Sequence, residues 1–234
     1  IISVAPGEKA KSLSILSTIY DALFDCKAER SDAVVALGGG VIGDLAGYAA
    51  ASFKRGLKYV QVPTTLLAMV DSAVGGKTGI NHSRGKNMIG AFHQPDLVYS
   101  DIHSLNTLPK RERSCGMAET IKHAVIQDSK FFTHLENNID AINQLEQQLM
   151  INLVERNCQI KANIVSQDEK EHGVRGYLNF GHTIGHTFEI VMKANDFHHG
   201  EAIALGMVAE LRMAVKRNMF TQGDLEKVVA MFVA

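Results

Sequence analysis

Ala33-Val34-Val35-Ala36-Leu37-Gly38-Gly39-Gly40-Val41-Ile42-Gly43-Asp44 is the stretch on which the fold reading turns. Five consecutive apolar residues predict a short buried strand over Ala33–Leu37. The glycines that follow admit conformations and close approaches denied to other residues, and an Ala-rich helix is expected from about Ile42. A strand that passes through glycines into a helix gathers backbone N–H groups and a positive helix end at one point, which suits a phosphate. The spacing fits GxGxxG, but the acidic residue expected about 20 residues on is missing, since Lys58–Val62 contains none. A tight strand-to-helix turn without any ligand would use the same residues, and spacing alone leaves both readings open.

Outward from this turn, strand and helix signals alternate. Ile1–Val4 reads as a strand, and Glu8–Phe24 as a helix with Leu13, Ile15, Leu16, Ile19 and Leu23 at helical spacing. Tyr59–Val62 reads as a strand ended by Pro63, and Leu97–Ser100 as another. Short apolar strands separated by helices predict a parallel sheet covered on both faces. The polar run 63–94 shows no strand pattern. After Pro109 the spacing predicts helices over Lys110–Phe132, Asp140–Val165, Thr183–Lys193, Glu201–Lys216 and Asp224–Ala234. The expected fold class is thus an α/β N-terminal domain with a parallel sheet, residues 1–108, followed by an α-helical domain, residues 109–234. Ile1 has no preceding element and the last helix meets no cap or breaker, so both ends read as truncations of a longer protein.

With 46% hydrophobic and 21% charged residues, the composition is that of a globular protein. A formal net charge of -1 offers no basic face for nucleic acid or an anionic membrane, so any anion must be bound by local Lys and Arg clusters. Cys26, Cys115 and Cys158 are odd in number and lack CxxC spacing, which suits reduced thiols and a cytoplasmic location. Glycines and Asp44 interrupt the most apolar stretch, Ala33–Ser52, too often for a membrane helix.

Chemistry-bearing residues fall into two groups. Pro63-Thr64-Thr65, Asp71, Gly75-Gly76-Lys77 and Gly85-Lys86-Asn87 follow strand signals, and ligands of α/β sheets collect beyond the carboxyl ends of strands. Lysines flanked by glycine suit an anionic ligand; solvated surface lysines are the alternative. Downstream, Gly181-His182-Thr183-Ile184-Gly185-His186 puts two imidazoles at i and i+4 on one helical face, with His198-His199-Gly200-Glu201 following. Met117-Ala118-Glu119 lies upstream, with Lys122 one turn later. Imidazoles and a carboxylate around an open position suit catalytic zinc. Spacing alone favours His182 and His186 as the ligand pair, by analogy with HExxH helices.

Taken in order, Gly38–Asp44, Val62–Lys77, Gly85–Pro95, Met117–Lys122, Asn179–His186 and His199–Glu201 closely resemble the 3-dehydroquinate synthase family of sugar phosphate cyclases, across nearly the whole chain. Each motif is modest alone; the ordered set is specific. The resemblance implies an NAD-binding α/β domain, a helical metal-binding domain, and two cofactors, NAD and a divalent ion, Zn2+ or Co2+. The implied metal ligands are Glu119, His182 and His199, with His186 turned to the substrate, which overrules the i, i+4 pair. His199 is preferred over His198 because it directly precedes Gly-Glu. The implied NAD contacts are Glu8 and Lys11, the loop Gly40, Val41, Ile42, Gly43 and Asp44, then Thr64 and Thr65, Lys77, Lys86, and Ser104, Leu105, Asn106 and Thr107. The implied catalytic and substrate-binding residues are Asp71, Lys77, Asn87, Lys122, Lys161, Glu171, Arg175, Asn179 and His186, while Arg55 would reach into the neighbouring subunit of a homodimer.

The activity implied is that of a lyase of the shikimate pathway. It converts 3-deoxy-D-arabino-heptulosonate 7-phosphate, a small phosphorylated sugar acid, to 3-dehydroquinate and phosphate by transient oxidation, elimination, re-reduction and intramolecular aldol closure. No nucleic acid or membrane partner is expected. The sequence departs from the family pattern in lacking the first strand–helix units and a C-terminal region with a further phosphate-binding lysine. Another sugar phosphate cyclase or a metal-dependent alcohol dehydrogenase is the alternative, but Gly75-Gly76-Lys77 and the full Asn179 to His186 set favour the first reading. A non-catalytic anion-binding module leaves Glu119 and the histidines unexplained.

Overall fold

The structure, a computed structural model, describes residues 1–191 and 197–234. They form two compact units, Ile1–Ser104 and Leu105–Ala234; the sequence reading divides the chain after residue 108, within the irregular link between the last strand and the first helix of the second unit.

In the first unit, the Ser12 hydroxyl accepts a 3.4 Å hydrogen bond from the Ile15 N–H, so α1 runs over Leu13–Asp25. Glu8–Ala10, expected in the same helix, is a separate 3-10 turn. Strand β1 (Ala33–Gly38) leads through Gly39 into α2 (Gly40–Ser52), and β2 (Lys58–Pro63) and β5 (Leu97–Val98) complete a parallel sheet of order β1-β2-β5. Helix α2 lies close on this sheet because its inner face carries glycine. A Cβ on Gly47 would sit 2.5 Å from Thr78 Cγ2 and 2.9 Å from the Tyr59 ring. The buried Tyr59 hydroxyl donates to the Gly43 carbonyl under the same helix, and Leu45, Ala49, Ala50 and Phe53 fill the space around it.

Three expectations for this unit are corrected. Ile1–Val4 forms no strand, since β1 pairs only with β2 among the described residues and Ile1 is exposed. Nor is β1 buried: Val35 and Leu37 are 60% and 67% exposed. The two-residue period of a strand sends them to the face opposite α2, where their neighbour in register across β2, Leu97, is also exposed. The sheet is therefore covered on one face by this unit, not on both. The third correction lies in the polar run, where β3 (Lys77–His82) and β4 (Gly85–Phe92) form an antiparallel hairpin. Its backbones meet at glycines, and a Cβ on Gly90 would fall 2.1 Å from the Thr78 carbonyl oxygen. Polar and glycine residues hide the strand period there.

The second unit is helical: α3 (Lys110–Gln127), α4 (Ser129–Asn143), α5 (Gln147–Gln167), α6 (His182–Val191), α7 (His199–Lys216) and α8 (Gln222–Val233). Two expected helices are each divided by a cap. The Asp128 carboxylate accepts from the Phe131 N–H at 3.0 Å and starts α4, and Glu146 accepts from Gln148 and Leu149 at 3.1 and 2.7 Å and starts α5. The end of the expected helix Thr183–Lys193 lies outside the described residues. Cys26, Cys115 and Cys158 are free thiols, and no described helix is long and apolar enough to cross a membrane.

Candidate metal centre and nucleotide loop

Glycines bring α3, α6 and α7 together. Gly181, at φ 81, turns the chain into α6, and its N–H donates to Glu210 Oε2 at 3.0 Å. A Cβ on Gly206 would lie 2.0 Å from the Gly181 carbonyl oxygen, and one on Gly185 would lie 2.8 Å from Ile203 Cδ1, so α6 and α7 touch nearly backbone to backbone. At the start of α7, a Cβ on Gly200 would meet Cys115 Cα at 2.4 Å, which presses that end against α3. Glu201 holds the same end: it accepts the His198 N–H at 2.9 Å and a forked pair from Arg111 at 2.6 and 2.8 Å. The Arg111 guanidinium holds the Glu201 carboxyl down at about 2.

This packing delivers one carboxylate and two imidazoles to one point. Glu119 on α3 is wholly buried, and its Oε1 lies 3.7 Å from His182 Nε2 and 3.7 Å from His199 Nε2. The three ligand atoms all fall within 4.8 Å of one another. Separations of 3.7 Å are too long for hydrogen bonds. They do fit atoms bound to one ion, since tetrahedral ligands at about 2.0–2.1 Å from zinc stand roughly 3.4 Å apart. Each imidazole is turned by its other nitrogen: His182 Nδ1 lies 3.3 Å from the Phe180 carbonyl oxygen, and His199 Nδ1 lies 3.0 Å from Glu189 Oε1. A proton on Nδ1 leaves the Nε2 lone pair for a metal. Burial pushes the His182 pKa below the usual histidine value, which favours the neutral ligand form. The donor set thus fits a zinc-type ion.

Among the described residues, no donor group unites His182 with His186; His186 instead shares a group with Glu189 and His199. Glu189 is absent from the sequence reading, although its place one turn beyond His186 on the same face could have revealed it. Lys122, buried, pairs with Glu119. A buried network absent from the sequence reading holds α3 against α5: His123 Nδ1 meets Asn157 Oδ1 at 2.8 Å, and Asn157 donates to Thr120 Oγ1 at 3.3 Å. The 3-10 turn Val174–Asn179 packs on both helices. There Arg175 is buried and donates to the Glu169 carbonyl, Lys161 is buried on α5, and Asn179 donates to Glu171 Oε1 at 2.6 Å.

In the first unit the glycine loop sits at the carboxyl ends of β1 and β2. The Thr64 N–H donates to the Gly38 carbonyl at 2.9 Å, and Cβ atoms on Gly39 and Gly40 would lie 3.1 Å from Thr65 Cγ2 and 2.9 Å from Ser72 Oγ. Among the described residues, no side chain caps α2. The glycines divide their work: Gly43, where a Cβ would lie 2.8 Å from Gln61 Oε1, seats the helix on the sheet, and Val41 and Ile42 continue it. Lys11, buried, bridges Asp44 at 2.6 Å and the Asn87 side chain. Asn81, absent from the sequence reading, accepts the Asn87 N–H and donates to Glu8 Oε1, both at 2.8 Å. Glu8, Lys11, Asp44 and Asn87 thus belong to one polar network. Lys77 and Lys86 are exposed on the hairpin, and Asp71 is half-buried in a π-helical turn, Ala68–Ser72. Ser104 Oγ lies 3.5 Å from the Thr64 carbonyl oxygen. Asn106 and Thr107 are exposed, Leu105 is wholly buried in the second unit, and Arg55 is exposed at φ 69.

An α/β unit with a glycine loop, joined to a helical unit with a zinc-type donor set, defines the class of protein. The 3-dehydroquinate synthase N-terminal profile matches residues 1–115 and the C-terminal profile residues 116–234. The chain belongs to the 3-dehydroquinate synthase family. It is 47% identical to the 3-dehydroquinate synthase of Desulforamulus reducens along its whole length, and spans 65% of that protein. Among solved structures it resembles 2-epi-5-epi-valiolone synthase from Streptomyces hygroscopicus subsp. jinggangensis, with NAD+ and Zn2+ bound, at 29% identity and TM-score 0.91, covering 97% of this chain and 64% of that one. It also resembles 2-deoxy-scyllo-inosose synthase complexed with carbaglucose-6-phosphate, NAD+ and Co2+, at 32% identity and TM-score 0.89, covering 97% and 61%.

Proposed function

We propose that the protein catalyses the 3-dehydroquinate synthase reaction, converting 3-deoxy-D-arabino-heptulosonate 7-phosphate to 3-dehydroquinate and phosphate. The observation that carries this reading is the convergence of Glu119, His182 and His199 in a chain of this family. The solved cyclases with other products are 29% and 32% identical to this chain, against 47% for the Desulforamulus synthase, which favours dehydroquinate as the product.

When bound, NAD supplies a hydride acceptor and donor, and a divalent ion, Zn2+ or Co2+, supplies a Lewis acid for the reacting hydroxyl. Glu119, His182 and His199 hold the ion, and Glu189 keeps the His199 ring in place. The Gly40–Asp44 loop, Glu8, Lys11, Thr64, Thr65, Lys77, Lys86 and Ser104–Thr107 hold the dinucleotide. The substrate carries a carboxylate and a phosphate, and Lys122, Lys161 and Arg175 meet that charge. Lys122 is paired with Glu119, so neutralisation of Glu119 by an ion leaves the ammonium available to an anion. Asn179, steadied by Glu171, and His186 are substrate contacts of the helical unit, and Asp71, Lys77 and Asn87 are those of the α/β unit. These residues act by position and charge. The protein acts in the cytoplasm as a homodimer, with Arg55 extended to the neighbouring subunit.

The full-length protein, given the heptulosonate phosphate and catalytic NAD, should release many equivalents of phosphate with almost no net NADH. A cyclase returns its hydride to the same molecule, whereas an alcohol dehydrogenase has no return step. NADH accumulating in proportion to product would overturn the proposal.

A further inference from the structure

A second set of ligand-type side chains converges in the helical unit, on the other side of the α7 N-terminus from His199 in sequence. Glu112 and Cys115 stand one turn apart on α3, and His198 is the residue before α7. Their ligand atoms lie within 4.8 Å of one another, as close as the limit met by Glu119, His182 and His199. His198 Nδ1 is 3.2 Å from Glu112 Oε1. Cys115 is buried, and that burial pushes its thiol pKa up to about 11.

This arrangement is held before any ligand arrives. The contact of Gly200 with the Cys115 backbone fixes the start of α7 on α3, and with it the imidazole relative to the sulfur. Arg111, the nearby cation, is forked onto Glu201, so its charge is already compensated. Glu112 and His198 are half-buried, which leaves a path from solvent. One thiol, one imidazole and one carboxylate form a zinc-type set; the sulfur disfavours Mg2+ and Ca2+.

We propose that Glu112, Cys115 and His198 form a second metal site, for Zn2+ or another thiophilic divalent ion, separate from the Glu119–His182–His199 centre. Binding breaks the Cys115 S–H bond and releases its proton to solvent, while the other two ligands enter as a carboxylate and a neutral imidazole. The site does not depend on the function proposed above, and its test uses metal alone.

The full-length protein, stripped of metal, is titrated with Co2+ and followed by absorbance. The Glu119 centre contains no sulfur, so a thiolate-to-cobalt charge-transfer band in the near ultraviolet reports the second site alone. Two equivalents are expected, one of them giving this band. Cys115→Ser should abolish the band and keep one equivalent, whereas Glu119→Ala should keep the band. His198→Ala, at a half-buried position that folding tolerates better, should weaken the sulfur-linked equivalent at least tenfold. Absence of the band, its survival in Cys115→Ser, or an unchanged affinity in His198→Ala would each overturn the proposal.

Discussion

Glu119 shows how one buried side chain organises a site. A carboxylate without solvent must be balanced by positive charge; here Lys122 supplies it, and two imidazoles face the other carboxylate oxygen. Replacing Glu119, His182 or His199 with Ala should strip the metal from the first centre during dialysis, as measured by elemental analysis of the full-length protein. His186→Ala and His198→Ala should keep the metal of that centre. Loss from His186→Ala with retention in His199→Ala would instead restore the i, i+4 pair. Glu189 acts one step further out, through the 3.0 Å contact with His199 Nδ1. Glu189→Gln keeps a group able to accept that hydrogen bond but loses the charge, and Glu189→Ala loses both. Partners of this kind contribute about 10–100-fold in metal affinity, so titration should show Ala weakened by that order and Gln by less.

The helix pair α6–α7 transmits these residue-scale demands. Its approach depends on positions that cannot hold a Cβ, since one on Gly206 would fall 2.0 Å from a carbonyl oxygen. Gly206→Ala should therefore force the helices apart, at about 1–3 kcal/mol by analogy with other overpacked sites, with weaker metal binding in the same variant. Denaturant titration and metal titration together would show both losses; unchanged values would mean that the helices adjust freely. The α7 N-terminus adds a pH signature. Arg111 depresses the Glu201 carboxyl from 4.5 to about 2 in the folded chain. The stabilisation from this group is therefore complete above 4.5 and is lost as the pH falls through that window towards 2. In Arg111→Ala the acid-induced loss of α7 order, followed by hydrogen exchange, should begin at higher pH than in the parent.

At the scale of the molecule, the sheet of the α/β unit keeps an apolar face open to solvent. The α/β unit leaves Val35, Leu37, Leu97 and Tyr99 between 55% and 67% exposed on the sheet face away from α2. Apolar patches of this kind promote association. The 234-residue chain should sediment as a concentration-dependent mixture, and the double substitution Val35→Lys with Leu37→Lys should shift it towards monomer. A sharp, concentration-independent monomer in the parent chain would contradict this. The chain spans 65% of the Desulforamulus relative's length, so the activity assay belongs to the full-length protein and the association assay to this chain.

The sequence by itself determined the strand–glycine–helix turn, the α/β-then-helical order and the ordered motifs of the family, because these are written in contiguous residues and local periods. It did not reveal the β3–β4 hairpin, whose strands are specified by glycine-to-glycine contact across a pair rather than by alternation within either strand. It also made β1 a buried strand, because five apolar residues carry no record of which sheet face an element covers. Among the histidines, spacing within one helix favoured His182 with His186, since local sequence registers only neighbours on one face. The resemblance carried by the ordered motifs already named Glu119, His182 and His199; the tertiary structure added that both imidazoles face Glu119 from different helices, that Glu189 stands behind His199, and that Cys115 lies beside His198. Those relations are set by where glycine lets two backbones touch, and that distance is a property of the packed helices, invisible along the chain.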